Sequence, residues 1–291
     1  MIVGEITDHR SREGGAMIYP VYSRRSGGLS VGINLFPDHK VCSFDCPYCE
    51  VFPFKTDIVF DLEIMKTALS AAILEAKNNK IPVKDICFSG NGEPTMSPFF
   101  TEALIAASVI QKELVPDAQL VLITNGTGLL NKDMFTFLKA GALEPVNLVI
   151  WLKLDAATET WYGALNRSDI PHSELLFAIR SFAASHSPFT IQTMLCKIKG
   201  ALPSQEENTA WVQLVTELAL LSVAEKKAGE VPSLFNGLSG LKAVQLYGKA
   251  RPACEDLLAE AVFPEVLEER ASLLLQAFKK LEISLPVDVY R

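Results

Sequence analysis

Apolar runs of strand length alternate with amphipathic windows of helix length along the chain, and this alternation constrains the fold more than any other sequence feature. Most of the runs are apolar throughout rather than two-faced, which is typical of parallel strands covered on both faces. Parallel strands joined by right-handed helical crossovers form an α/β sheet. The sequence therefore predicts about six strand-helix units, with strands at residues 30–35, 83–88, 120–124, 146–154, 189–195 and 242–247.

The windows between these runs carry one apolar face at helical spacing. Asp61 stands where an N-cap is needed, directly before the window that contains Leu62, Met65 and Leu69. Pro264 opens a window near the carboxyl terminus, because proline is favoured in the first turn of a helix. Less regular helical windows occur at residues 99–113, 131–140, 171–185 and 205–221.

Polar side chains inside one apolar run distinguish a barrel from an open sheet. Trp151, Lys153 and Asp155 alternate onto one face of their strand. A charge on a strand covered on both faces needs a polar lumen or a ligand. We therefore expect an α/β fold in the form of a partial (β/α)6 parallel barrel. Residues 1–29 are expected to form an N-terminal extension, and residues 30–291 a single barrel domain with a C-terminal helix.

Composition excludes several classes of protein. The chain has 291 residues, 49% of them hydrophobic, which argues against a disordered protein. Its 27 Lys and Arg against 34 Asp and Glu argue against a dedicated nucleic-acid-binding protein, which needs a basic surface. The first residues lack the pattern of a secretory signal, and the apolar stretches are too short to span a bilayer. We expect a cytoplasmic protein with no membrane partner.

Three cysteines, Cys42, Cys46 and Cys49, fall close together just after the first predicted strand. Such thiols converge on one metal centre when the chain loops around it. A 4Fe-4S cluster held by three cysteines leaves one iron free to bind a small chelating molecule. The alternative is a structural zinc site with His39 as a fourth ligand. The cysteines outside the motif are Cys87, Cys196 and Cys254. Cys196 and Cys254 follow adjacent predicted strands and are placed to approach each other.

The CxxxCxxC spacing, with Tyr48 before the last cysteine, resembles the radical S-adenosylmethionine (SAM) superfamily. The wider run, residues 32–37 leading into 42–49, is similar to a subgroup that includes the wyosine-forming tRNA enzymes. The resemblance implies a barrel of the radical SAM type with a 4Fe-4S cluster and SAM as cofactors. It also implies reductive cleavage of SAM to a 5'-deoxyadenosyl radical, which abstracts hydrogen from an unidentified substrate. A reductase, flavodoxin or ferredoxin would supply the electron.

The resemblance also assigns cofactor-binding roles to residues at the end of the second strand. Gly90, Asn91, Gly92 and Glu93 resemble the superfamily's glycine-glutamate motif, whose backbone and acid hold the amino group of the methionyl moiety. Tyr48 is expected beside the same cofactor. From the residues alone, a Gly-Asn-Gly run is equally typical of a tight strand-to-helix connection.

The next two strands end in further polar candidates. Thr124 and Asn125 are placed to hydrogen-bond a ribose hydroxyl or a cofactor carboxylate, although Asn-Gly is also a common turn. Lys153 is a candidate to hold a carboxylate of cofactor or substrate, with Asp155 orienting it or the sugar, so that both are candidate catalytic and cofactor-binding residues. The alternative is that they pair and only satisfy the barrel interior.

Three other functions use the same residues. Wyosine-type modification of tRNA is one, although no cysteine precedes Cys42 in this chain, whereas those enzymes carry additional amino-terminal cysteines. A glycyl-radical activating enzyme, with a protein as substrate, is another. The last is a non-catalytic binding module in which a metal only folds the loop. The substrate, small or macromolecular, is not identified by the sequence.

Overall fold

The computed structural model of the protein describes residues 16–142, 146–222, 240–255 and 257–290. Its strands are β1 (Ile18–Ser23), β2 (Gly28–Ile33), β3 (Val83–Phe88), β4 (Gln119–Thr124), β5 (Leu148–Lys153), β6 (Phe189–Leu195), β7 (Lys197–Ile198), β8 (Leu241–Gly248), β9 (Ala259–Glu260) and β10 (Val287–Tyr290). Its α-helices are α1 (Leu62–Asn78), α2 (Phe100–Leu114), α3 (Lys132–Gly141), α4 (Glu159–Leu165), α5 (His172–Ala184), α6 (Gln205–Leu221) and α7 (Pro264–Lys280). Short 3-10 turns follow β3 and β4, at Pro94–Met96 and Thr127–Leu130.

Eight strands form one curled sheet in the order β1-β2-β3-β4-β5-β6-β8-β10, while β7 and β9 form a separate antiparallel pair. Six strands of this sheet, β2, β3, β4, β5, β6 and β8, pair in parallel. Helices connect each of them to the next. Consecutive parallel strands connected in this way bring all their carboxyl ends to one edge. The predicted partial α/β barrel is therefore confirmed.

Two edge strands extend the predicted sheet. β1 pairs antiparallel with β2, so that part of the expected N-terminal extension, residues 1–29, lies in the sheet. β10 pairs parallel with β8 at the opposite edge. Residues 1–15 lie outside the described part of the chain. The division of the chain at residue 29 stays a prediction.

The helices begin where their sequences place the caps. The Asp61 side chain accepts a hydrogen bond from the N–H of Ile64 at the start of α1, and the buried face of this helix includes Met65 and Leu69, as predicted. Pro264 is the first residue of α7. No helix in the described ranges is long and apolar enough to cross a membrane.

The parallel strands divide the interior into a packed layer and a lumen. Side chains such as Ile33, Phe88 and Leu122 are fully buried in the main core. Burial of one such side chain stabilises the fold by about 1.5–3 kcal/mol. Alternate residues, among them Trp151 and Lys153, line a cavity on the concave side. This division positions polar groups inside the curl of the sheet, as the alternation in β5 predicted.

Candidate functional site

The cysteine loop, residues 41–50, is bound to the carboxyl edge of the sheet by backbone hydrogen bonds. Val41 and Gly92 form a parallel bridge, in which the Glu93 N–H donates to the Val41 carbonyl at 2.8 Å. On the other side, the Asp45 N–H donates to the Asn166 carbonyl at 2.9 Å. The loop therefore spans from the end of β3 to the region beyond β5.

Side-chain amides donate to two of the three sulfurs of the motif. The Nδ2 of Asn125 lies 3.7 Å from the Sγ of Cys42, and the Nδ2 of Asn166 lies 3.6 Å from the Sγ of Cys46. The Phe44 N–H also donates to the Cys42 sulfur, at 3.4 Å. Hydrogen bonds to ligand sulfurs are a common means of tuning an iron-sulfur cluster.

Burial and neighbouring charge set the protonation of the thiols. Burial raises the pKa of Cys42 to about 11, and burial together with Asp155 raises the pKa of Cys46 to about 12. A hydrogen bond with Cys254 and the charge of Lys40 lower the pKa of Cys49 to about 6, against its burial. Two of the motif thiols are therefore protonated at neutral pH in the absence of a metal.

The donor set fits a cluster of the predicted kind in its chemistry. Three thiols share one loop, amides face two of them, and the Lys40 ammonium is hydrogen-bonded to Cys49. In the described ranges, however, no three His, Cys, Asp or Glu side chains are grouped so that they could hold a metal ion as they stand. His39 pairs with Asp38 at 2.6 Å. The ligand set Cys42, Cys46 and Cys49 stays a prediction.

The Glu93 carboxylate is buried, and other parts of the site bind it. Its Oε1 accepts the hydroxyls of Thr124 and Thr95, each at 2.7 Å, and its Oε2 accepts the Asn125 N–H at 2.7 Å. Burial raises the pKa of Glu93, while these donors oppose the rise. Glu93 thus joins the turn after β3 to the turn after β4.

The glycines of the same turn permit close backbone approach. A Cβ on Gly92 would lie 1.8 Å from the Val41 carbonyl oxygen, so any side chain there would separate the turn from the cysteine loop. Gly90 has a φ of +122°, which is unfavourable for any other residue. Asn91 is buried, and its Nδ2 donates to the Phe36 carbonyl at 3.0 Å. The Gly-Asn-Gly run therefore forms a tight connection after β3, which is one of the two interpretations of its sequence.

Asn125 connects the β4 turn to the cysteine loop. Besides its contact with Cys42, its Nδ2 donates to the Ser43 hydroxyl at 3.0 Å. Its Oδ1 accepts the Thr127 hydroxyl at 2.7 Å and the Thr127 N–H at 3.0 Å. The hydroxyls of Ser43 and Thr127 lie 2.8 Å apart. Asn125, which the sequence predicted to bind the cofactor, therefore also holds the β4 turn against the cysteine loop.

Lys153 and Asp155 form a buried ion pair, with Lys153 Nζ 3.0 Å from Asp155 Oδ2. Tyr48 donates its hydroxyl to the same oxygen, and the Met194 N–H donates to Oδ1 at 2.8 Å. Lys153 also donates to the Tyr247 hydroxyl. Burial opposes the charge on Lys153, but Asp155 and Tyr247 hold the pKa of this ammonium above its usual value. Both predicted catalytic side chains are thus bound to each other.

A cavity of about 290 Å³ on the concave side of the sheet brings several predicted residues together. Tyr48, Cys49, Gly90 and Lys153 line it, whereas Asp155 lies behind the cavity wall. Glu93, Thr124 and Asn125 are likewise buried and do not line the cavity. A larger cavity of about 620 Å³ lies between α1 and β1, contains none of these residues and is mainly apolar.

The structure also brings Cys254 to the cysteine loop, which the sequence did not indicate. The Cys254 N–H donates to the Cys49 carbonyl and its thiol to the Val51 carbonyl, both at 2.9 Å. Cys196, in contrast, is buried in a small cluster that includes Tyr48 and Met194. The loop after β8 reaches Cys49 because the sheet curls, and although the sequence predicted a partial barrel, spacing did not indicate which loops would meet.

Two Helicobacter pylori proteins are similar to this chain in sequence. A "UPF0026 protein" of strain J99 is 28% identical over 290 residues, which cover 90% of this chain and 89% of the relative. A "UPF0026 protein" of strain 26695 is 32% identical over 109 residues, or 37% of this chain and 34% of the relative. No protein-family profile matches the chain.

Solved structures share the fold at low identity. SuiB of Streptococcus suis bound to S-adenosylmethionine has a TM-score of 0.60 and 12% identity, and the match covers 87% of this chain and 49% of SuiB. This chain thus spans about half the length of SuiB. TYW1 with a lysine-pyruvate adduct bound has a TM-score of 0.50 and 14% identity, with 85% of this chain and 73% of TYW1 covered. The chain therefore shares the fold of these structures, a partial α/β barrel, as its strand pattern predicted.

Proposed function

We propose that the protein is a radical SAM enzyme that acts on a substrate held in the lumen of the half barrel. One observation carries the proposal: hydrogen bonds of Glu93 and Asn125 join the cysteine loop to the turns after β3 and β4, and residues of this loop and of the β3 turn line the lumen cavity. A loop that only folded around a structural metal would need no such attachment to a cavity. The fold and the cysteine motif independently favour the same class.

In this proposal Cys42, Cys46 and Cys49 hold a 4Fe-4S cluster with one open iron, to which SAM binds. When bound, these cofactors supply the electron and the 5'-deoxyadenosyl radical that abstracts a substrate hydrogen. The protein's own residues position and neutralise the site. Asn125 and Asn166 donate to the sulfurs, which stabilises thiolate charge. The positive charge of Lys40 compensates the negative charge of the ligand set.

Lys153 is proposed to hold a carboxylate at the cavity wall. Its ammonium is charged and lines the cavity, so that an anionic group of cofactor or substrate would gain a charge-assisted hydrogen bond. Asp155 is proposed as a positioning residue, because its two oxygens bind Lys153, Tyr48 and the Met194 N–H. Gly90 exposes backbone at the cavity, which suits the amino group of the methionyl moiety.

The proposed partners follow from this chemistry. A reductase, flavodoxin or ferredoxin would deliver the electron, and the cytoplasmic location stays a prediction. A tRNA substrate remains an alternative, and binding that weakens steeply with rising salt would favour it. A glycyl-radical activating enzyme would instead retain a large protein partner in a pull-down from its own cell extract.

Anaerobic reconstitution with iron and sulfide tests the metal assignment. We expect a brown protein with sulfur-to-iron absorbance in the visible range, and an electron paramagnetic resonance spectrum of the reduced protein that changes when SAM is added. The Cys46→Ser variant should lose both signals while keeping the circular dichroism of the folded chain. A colourless protein that holds zinc instead of iron would overturn the proposal in favour of a structural metal site.

A further inference from the structure

Arg25 lies in the turn that joins β1 and β2, and its guanidinium is held against the aromatic side chains of the lumen. Its Cζ lies 4.9 Å from the centre of the Tyr247 ring and 5.7 Å from that of Trp151. Cation-π contacts of this kind hold a guanidinium in place without neutralising its charge. Arg25 is therefore positioned but still charged.

Two buried glutamines fix the direction of this guanidinium. Arg25 Nη1 donates to Gln192 Oε1 at 3.1 Å, and Gln192 Nε2 donates to Gln245 Oε1 at 2.7 Å. Gln192 is completely buried, so that its amide has little freedom to rotate away. A neutral amide partner satisfies one donor of the guanidinium, which carries five N–H groups.

Among the described residues, Arg25 differs from Arg251 and Lys153 in lacking an acidic partner. Arg251 pairs with Glu50 at 2.9 Å, and Lys153 pairs with Asp155 at 3.0 Å. In the described part of the chain, no carboxylate lies within 4.0 Å of the Arg25 nitrogens. Asp85 is hydrogen-bonded to Ser30 instead. Burial raises the pKa of Asp85, and the charge of Arg25 opposes that rise.

The lumen cavity connects Arg25 to the cysteine loop. Cys49 and Gly90 line one part of its wall, and Arg25 and Ser26 line another. A small adjoining cavity is also lined by both Arg25 and Glu50, the last residue of the cysteine loop. A volume of about 290 Å³ admits a small molecule or one side chain of a larger one.

We propose that Arg25 binds an anionic oxygen group of the substrate, a carboxylate or a phosphate, in the lumen cavity. This inference rests on the proposed function, since it supplies the chemical class of that enzyme's substrate. A guanidinium fork matches both groups with two parallel hydrogen bonds. Anchoring the acid there would hold the remainder of the molecule in the cavity that Cys49 and Gly90 also line.

Fluorine NMR of the full chain labelled with 5-fluorotryptophan tests this binding without cluster or SAM. The three tryptophans give three resonances, and the Trp151→Phe variant identifies the one beside Arg25. Inorganic phosphate and acetate are titrated at constant ionic strength, with acetamide as the neutral control. At least one anion should shift the Trp151 resonance saturably, and acetamide should not. The anion that does so identifies the group.

Arg25→Gln should weaken that binding about tenfold or more, because the anion loses a charged hydrogen-bond donor. Arg24→Gln, an exposed arginine in the same turn, is the matched control and should bind as the wild type does. Arg25→Lys keeps the charge but not the fork, and should bind with intermediate affinity. No shift with either anion, or an equal shift in Arg25→Gln, would overturn the inference. Neither result bears on SAM cleavage, so the two proposals fail separately.

Discussion

The side-chain amide of Asn125 lies 3.7 Å from the sulfur of Cys42, and it connects the end of β4 to the cysteine loop. The N–H of the same asparagine donates to Glu93 at 2.7 Å, which connects β4 to the turn after β3. Two strand ends and one loop are thereby fixed relative to one another. A site built in this way depends on the contacts behind it as much as on the groups that face the cavity.

Replacing Gly92 with alanine should detach the cysteine loop from the sheet. The new methyl group would lie 1.8 Å from the Val41 carbonyl oxygen, so that backbone must move. We expect the free energy of unfolding to fall by about 2–3 kcal/mol, measured by urea denaturation, with faster amide exchange in the loop. Gly163→Ala, in α4 where nothing lies within 4 Å, is the control and should be neutral or slightly stabilising. Equal effects of the two changes would contradict the close approach.

Removing Asp155 should cost more than removing its whole ion pair. Asp155→Asn leaves the Lys153 ammonium buried without its counter-charge, and we expect a loss of about 3–5 kcal/mol in unfolding free energy. The double variant Lys153→Met, Asp155→Asn should recover part of that loss. A double-mutant cycle by chemical denaturation measures the difference. Strictly additive single changes would show that the two charges do not interact.

His172 should make the protein less stable as the pH falls. Burial against Tyr162, whose ring stacks on it at 4.5 Å, lowers the pKa of His172 below 6.5. Below pH 6.5 the unfolded chain binds a proton that the native state resists, so stability present above that pH is lost. His172→Phe should flatten the pH dependence of unfolding free energy between about pH 7 and 5. Identical slopes for the two proteins would refute this assignment.

Cys254 should support the site without binding iron. It touches Cys49 through its backbone, yet three other cysteines complete the proposed ligand set. Cys254→Ser should therefore keep the iron content of the wild type after anaerobic reconstitution, whereas Cys49→Ser should lose most of it. Iron and sulfide analysis decides between the two roles. Equal losses in both variants would make Cys254 a ligand.

The sequence predicted the central strands well because their residues are apolar throughout. β3 and β6 have the predicted bounds, and both are largely buried. The edge strands β1 and β10 were missed, since both are partly exposed, Pro20 interrupts β1, and β10 has only four residues. Sequence order alone predicted which residues follow successive strands.

The contacts that complete the site were beyond the reach of sequence patterns. Arg25 meets Trp151 and Tyr247, and Cys254 meets Cys49, only when the sheet curls. Each pair is separated by more than one strand-helix unit along the chain. Glu93 was assigned a ligand, but its carboxylate is bound by Thr95, Thr124 and Asn125, partners that spacing did not reveal.

The formation of 5'-deoxyadenosine is the most direct test of the proposed chemistry. Protein reconstituted without oxygen is mixed with SAM and a strong reductant, and the product is quantified by liquid chromatography and mass spectrometry. We predict 5'-deoxyadenosine from the wild type only when reductant is present, and none above background from Cys42→Ala protein that retains its fold. Formation of 5'-deoxyadenosine by Cys42→Ala at the wild-type rate, or its absence from cluster-loaded wild type, would contradict the account.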